Sequence, residues 1–153
     1  MKNKVSVTQN IEMTMSALVM YWKRYFEDSM REYSIRTVTM GAVLYSAYLH
    51  GGMVQDDIGK LLNMDKAYVT RELNSLARLG YIVREKDEAD RRKNHIFVTP
   101  EGKNAAQAID KCRHQWIEAE FAGISEKDRE VFFGILSKMV GNLKAKLFSN
   151  VAE

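Results

Sequence analysis

Absences set the first bounds on this chain. Cys112 is the only cysteine in 153 residues, so no intrachain disulfide can form and a reducing compartment is the expected home. No apolar run approaches the roughly 20 residues that a membrane span needs. The apolar stretch near Leu18 is broken by Lys23 and Arg24, and the polar start Met1-Lys2-Asn3-Lys4 gives no sign of a signal peptide. Cytoplasm is therefore the expected location, with no membrane partner. A G-x-S-x-G elbow, a phosphate loop and a dinucleotide fingerprint are all missing, which argues against an enzyme. His50-Gly51-Gly52 is a fragment of an oxyanion-type loop without a matching nucleophile, and reads better as a helix stop. His114 and Glu118 sit one helical turn apart, but two ligands make no zinc site, so neither metal nor cofactor is expected. Internal repeats and low-complexity linkers are absent as well.

Net charge is also small, at +3, so overall charge says little about a polyanionic partner. Its distribution says more. Between Lys60 and His95 nine cations face six acids, an excess equal to that of the whole chain. An apolar fraction of 46% is enough for a core, and 28% charged residues suit a solvated surface.

Periodicity fills in the elements. Ile11, Met15, Leu18, Trp22, Tyr25 and Phe26 recur at three- and four-residue intervals, predicting a first helix from about Thr8 to Arg31. A second runs from about Thr39 to Leu49. A short third spans about Gln55 to Leu62, with Ile58, Leu61 and Leu62 turned inward and Asn63 in the following turn. Asp65 is a good N-cap for a fourth helix, which Gly80 ends. On that helix Leu73 and Leu76 lie within about 40° of Val69 on the helical wheel. Ala67, Arg71, Asn74 and Arg78 point the other way, flanked by Thr70 and Ser75.

Two short strands follow, Tyr81 to Lys86 and His95 to Val98, with Ile82, Ile96 and Val98 inward and ADRRKN between them. Thr99 and Pro100, the only proline, begin a helix to about Phe121; Gly123 and Ser125 introduce a last one. The expected fold is mainly α with a small β wing. Residues 1–33 and 101–153 would be dimerisation helices around a winged helix-turn-helix lobe at 34–100. The wide apolar stripes of the first and last helices would be buried against a second copy, giving a two-fold homodimer, or against each other within one chain.

Two consecutive helices joined by a three-residue turn form a helix-turn-helix whose second member enters the major groove of double-stranded DNA. The groove-facing candidates are Lys66, Ala67, Tyr68, Thr70, Arg71 and Asn74. Arg71 suits a guanine edge and Asn74 an adenine edge. Tyr68, Thr70 and Arg78 suit phosphate oxygens. At the wing tip Arg91, Arg92 and Lys93 suit the electronegative minor groove, with Asp90 expected to hold the Arg92 guanidinium in place.

Ile58, Leu61, Leu62, Val69-Thr70-Arg71, Leu73, Leu76 and Leu79-Gly80-Tyr81-Ile82 form one pattern. Asp90, Arg92, Val98-Thr99 and Gly102 form another. Together they carry a resemblance: Gln55 to Gly102 resembles the winged-helix core of the MarR family of bacterial regulators. The resemblance implies a dimeric repressor on a palindromic operator, released by a small amphipathic, phenolic or carboxylate ligand. It also implies an effector pocket between the dimerisation helices and the winged lobe, where Tyr21, Trp22, Tyr25, Tyr45, Tyr48 and His50 would reach. Eight of the nine methionines fall in the first 64 residues, which suits an adaptable pocket or a soft core equally.

Val54, Gly59 and Asn63 depart from the family's usual cap, alanine and turn glycine, and Lys66-Ala67-Tyr68 alters the reading surface. Some members sense oxidants through a first-helix cysteine; this chain has none there, and Cys112 reads as an inert thiol. The alternatives are a winged-helix module that binds protein and not DNA, or a regulator without an effector.

Overall fold

A computed structural model describes residues 7–148, with side chains over 11–146. The elements are α1 (Val7–Ser29), a 3-10 turn (Arg31–Tyr33), α2 (Val38–Leu49), β1 (Met53–Val54), α3 (Gln55–Leu62), α4 (Lys66–Arg78), β2 (Ile82–Lys86), β3 (Asn94–Val98), α5 (Pro100–Glu120) and α6 (Glu126–Phe148). The fold is mainly α with a small β wing. Two compact units divide it, Met1–Trp116 and Ile117–Glu153.

In the first unit, α2 lies at the centre. Its Met40, Val43, Leu44 and Ala47 are all buried, as expected of a helix surrounded by other elements. Thr37 caps it, the hydroxyl accepting from the Met40 amide at 3.0 Å. The C-terminal part of α1 meets α2 closely at Gly41, where any Cβ would collide with the Phe26 ring. Phe26, Ile35, Leu44, Ile58, Leu73, Leu76, Ile96 and Ile109 form the fully buried heart of this unit. Each such side chain contributes roughly 1.5–3 kcal/mol by leaving water.

Helix α3 starts at Val54, which offers no side-chain cap, and ends at Asn63 in the left-handed region at φ 51°. One expectation fails here: Leu61 is 53% exposed. The buried face of α3 is centred between Ile58, Gly59 and Leu62, because Gly59 lets the helix approach Met64 and Val69. Leu61 lies about 110° from that centre and points to solvent.

The sheet holds three strands, in the order β1-β3-β2, all antiparallel. The expected pair is β2–β3, with Ile82 opposite Val98 and Lys86 opposite Asn94. The two-residue β1 was not anticipated: Met53 pairs with Ile96 and Val54 with His95. A strand so short has no alternation to detect. Thr99 accepts from the Gly102 amide at 3.0 Å and so caps α5. Gly102 is required there, since a Cβ would strike the Tyr81 carbonyl oxygen.

In the second unit, Ser125 accepts from the Asp128 amide at 3.2 Å and donates to its carboxylate at 2.6 Å, starting α6. Phe121 is buried, with Phe132 and Phe133 at centroid distances of 6.1 and 5.5 Å. Val131, Ile135, Val140 and Leu143 each keep more than half of their surface exposed. On α1, Met13, Val19, Met20 and Tyr21 are exposed to a similar or greater degree.

Candidate nucleic-acid interface

Helix α4 presents two faces. Val69, Leu73 and Leu76 are at most 1% exposed and fix the helix to the core. Asp65 caps it by accepting from the Ala67 and Tyr68 amides at 2.7 and 3.2 Å. The opposite face carries Ala67, Arg71, Asn74 and Arg78, all exposed as expected. The Arg71 guanidinium stacks 4.4 Å over the Tyr68 ring, which limits the orientations of both. Asn74 has no hydrogen-bond partner among the described residues, so both its donor and its acceptor are available. Arg78 donates to the Ser75 hydroxyl at 3.2 Å, tying it along the helix surface.

Two candidates are already engaged. The Thr70 hydroxyl donates to the Lys66 carbonyl at 2.7 Å and accepts from the Gln55 side-chain amide at 2.8 Å. Its one proton is therefore committed, and donation to a phosphate would require breaking the bond to the Lys66 carbonyl. Lys66 pairs with Asp56 of α3 at 3.0 Å, bridging the helix-turn-helix. Gln55 and Asp56 were missed from sequence because their partners lie fifteen and ten residues away, beyond any helical spacing.

The wing tip is organised by a carboxylate. Asp87 Oδ1 accepts from the Ala89 and Asp90 amides at 2.9 and 2.7 Å, while Oδ2 meets His95 Nε2 at 2.7 Å. His95 Nδ1 lies 2.7 Å from the Gly52 carbonyl oxygen. These contacts lower the Asp87 pKa, chiefly through the His95 bond, and raise that of His95, chiefly through the Asp87 bond. Asp90 differs from expectation. It accepts from the Arg92 backbone amide at 3.0 Å and has Lys93 Nζ 4.0 Å away, with no contact to the Arg92 guanidinium. An acid two residues before an amide closes a local turn more readily than it reaches out to a long side chain. The guanidinium groups of Arg91 and Arg92 are exposed and without partners among the described residues.

The aromatic candidates fall into two clusters, with two members outside them. Trp22 and Tyr25 pack against Trp116, at 5.5 and 5.4 Å. Tyr45 and Tyr48 lie 6.2 Å apart, with Arg113 4.7 Å above the Tyr45 ring and Asp110 accepting the Tyr45 phenol proton. That bond raises the Tyr45 pKa. Tyr21 and His50 are exposed. Trp116, Asp110 and Arg113 were missed as companions of these rings because their helix was weighed only for the Cys112 thiol and the His114–Glu118 pair. Cys112 is buried, and desolvation pushes its thiol up.

The MarR family model matches residues 37–93. An uncharacterized HTH-type transcriptional regulator of Bacillus subtilis, YwhA, is 29% identical over 99 residues, covering 65% of this chain and 71% of that protein. Among solved structures, a MarR transcriptional regulator from Methanosarcina mazei has a TM-score of 0.76 at 26% identity, covering 89% of this chain and 98% of the other. MepR of S. aureus, solved as a DNA complex, has a TM-score of 0.76 at 26% identity, covering 93% and 99%. No described helix is long and apolar enough to cross a membrane.

Proposed function

We propose that this chain, similar over residues 37–93 to the MarR family model and to the regulators named above, is a regulator of that family, acting as a homodimer on a palindromic operator in double-stranded DNA and repressing until a small amphipathic or phenolic ligand releases it. One observation carries this reading. A single winged-helix lobe exposes Arg71 and Asn74 on α4 and a cationic tip, Arg91 to Lys93, between β2 and β3. Arg71 would read a guanine O6/N7 edge, with Tyr68 limiting its rotamers, and Asn74 an adenine edge. Lys66, Ala67 and Tyr68 would line the entry of α4 into the groove. Arg78 would meet the backbone, joined by Thr70 where its hydroxyl exchanges the Lys66 carbonyl for a phosphate oxygen, and Arg91, Arg92 and Lys93, shaped by the Asp90 turn, the minor groove. MepR, a protein of similar fold, was solved bound to DNA.

The dimer is supported by the large apolar side chains that α1 and α6 each leave in water. A ligand would be received by aromatic side chains among Tyr21, Trp22, Tyr25, Tyr45, Tyr48 and His50, with Arg113 as the cation for a phenolate or carboxylate.

Titration of a labelled duplex at several salt concentrations tests the reading. Binding through several phosphates gives a steep linear fall of log affinity with log salt, with a slope of about −0.9 per phosphate contact. Arg92→Ala weakens binding to all sequences, whereas Arg71→Ala and Asn74→Ala also relax base preference. Salt-independent binding, or unchanged affinity in all three variants, favours a module that binds protein instead.

A further inference from the structure

The wing of this lobe has a second fastening that the interface does not use directly. His95 stands on β3 opposite Val54 of β1 and Glu85 of β2. One ring nitrogen faces the Gly52 carbonyl and the other the Asp87 carboxylate, each at 2.7 Å. Neither acceptor can donate: a carbonyl has no proton, and Asp87 is held as an anion by two backbone amides at its other oxygen. Both ring nitrogens must therefore carry protons for both bonds to exist, which makes the ring an imidazolium. Gly52 is itself fixed, its amide donating to the Ile96 carbonyl at 3.1 Å. The cation thus joins the β1 end of the sheet to the loop that carries the tip, and the Asp87 amide closes that loop on the Lys93 carbonyl at 3.3 Å.

We propose that His95 is a positioning residue for the wing: its doubly protonated ring, clamped between Gly52 and Asp87, holds the 87–93 loop so that Arg91, Arg92 and Lys93 are presented to duplex DNA. Loss of either ring proton leaves one arm of the clamp without its donor, Gly52 at Nδ1 or Asp87 at Nε2, and takes the charge from the other, which frees the loop; DNA affinity then depends on pH through a residue that touches no DNA. The charged groups facing the ring are Asp87 on the loop and Glu85 across the strand pair, and both favour the cation. Residues of β1 and α2 add no formal charge, and the charges of α3 pair elsewhere, Asp57 with Lys60 and Asp56 with Lys66. The proposal rests on the DNA-binding reading of the family.

The test uses the full chain and a duplex that the protein itself selects from a random pool at about pH 6. Wild-type affinity at fixed salt falls by about three- to tenfold between about pH 6 and pH 8.5, as one charge-assisted bond is lost. His95→Gln binds at the weaker level throughout and loses that pH dependence, while His50 and His114 remain to report any other histidine. Asp87→Asn separates a clamp from a direct DNA contact. A clamp predicts weaker binding, because the loop loses its anchor; a phosphate contact by His95 predicts stronger binding, because a repelling carboxylate is gone. In the free protein, Asp87→Asn lowers the midpoint of the His95 ring titration followed by NMR. A His95→Gln variant with the wild-type pH slope, tighter binding by Asp87→Asn, or an unmoved NMR midpoint overturns the clamp. Failure of the wild type to bind duplex at any pH, with the NMR midpoint shifting as expected, overturns the DNA reading and leaves the clamp as a structural fastening.

Discussion

Helix α4 rests on Val69, Leu73 and Leu76, each at most 1% exposed, whereas the wing tip rests on Asp87, His95 and the backbone of Gly52. Both carry cations of the proposed interface, yet one is held by apolar burial and the other by polar bonds near solvent. Burial responds to volume and to little else over the neutral pH range. Charge-assisted bonds respond to protonation. The two parts of one lobe therefore differ in what can loosen them.

The largest expected effect tests the helix side. Leu73→Ala removes a fully buried side chain between α4 and the rest of the core, and costs about 2–5 kcal/mol of global stability. Urea unfolding at acid and alkaline ends of the neutral range should give the same loss. A loss below about 1 kcal/mol would mean that burial is not what seats α4. Gly102→Ala comes next, since its Cβ would strike the Tyr81 carbonyl where α5 crosses the start of β2. Overpacking there costs about 1–3 kcal/mol. It should leave the pH slope of DNA binding intact, because the Asp87–His95 contact lies at the far end of the strand pair. A slope abolished by Gly102→Ala would show that the wing moves as one piece from its base.

Much of the helix side was legible in the sequence and little of the wing's fastening. Val69, Leu73 and Leu76 announce themselves by spacing, Asp65 by its capping chemistry, and Asn63 and Gly80 by tolerance of positive φ. These are local signals, each decided within one or two helical turns. Leu61 was misread because Gly59, a residue without a side chain, moves the buried face of α3 toward itself. His95 bonds to Gly52, 43 residues away, across a two-residue strand that no periodicity reveals. Asp87 and His95 do flank the charged tip in sequence, and an acid just past one strand with a histidine on the next is a usable hint. Only the register made them neighbours.

A smaller effect sharpens the account of α4. Asp65→Ala removes the acceptor for the Ala67 and Tyr68 amides and should cost about 1 kcal/mol, within the range of N-cap substitutions. The first turn of α4 carries Lys66, Ala67 and Tyr68, so duplex affinity should fall together with the helix content of that turn. Circular dichroism and the labelled-duplex titration check the two halves. Wild-type stability in this variant would mean that the turn between α3 and α4 is held by the Lys66–Asp56 and Gln55–Thr70 contacts instead.

The smallest effect is local opening of the wing in the absence of DNA. The folded His95 pKa is raised, so its contribution is fully present below the ordinary histidine value and is lost as pH rises through the raised one. The folded Asp87 pKa is lowered, so its contribution is present above the ordinary aspartate value and is lost as pH falls through the lowered one. Between those limits the Ala89 and Asp90 amides, held by Asp87, should exchange with solvent more slowly than unprotected amides. Corrected for intrinsic base catalysis, their protection should fall about two- to fivefold as pH passes the upper limit. Interior amides of α4 should keep theirs, because Leu73 and Leu76 do not titrate. Equal loss of protection in both regions would erase the division between a helix seated by burial and a proton-held wing; flat protection at Ala89 and Asp90 would show that the turn, with its Lys93-to-Asp90 backbone bond, holds itself without the imidazolium.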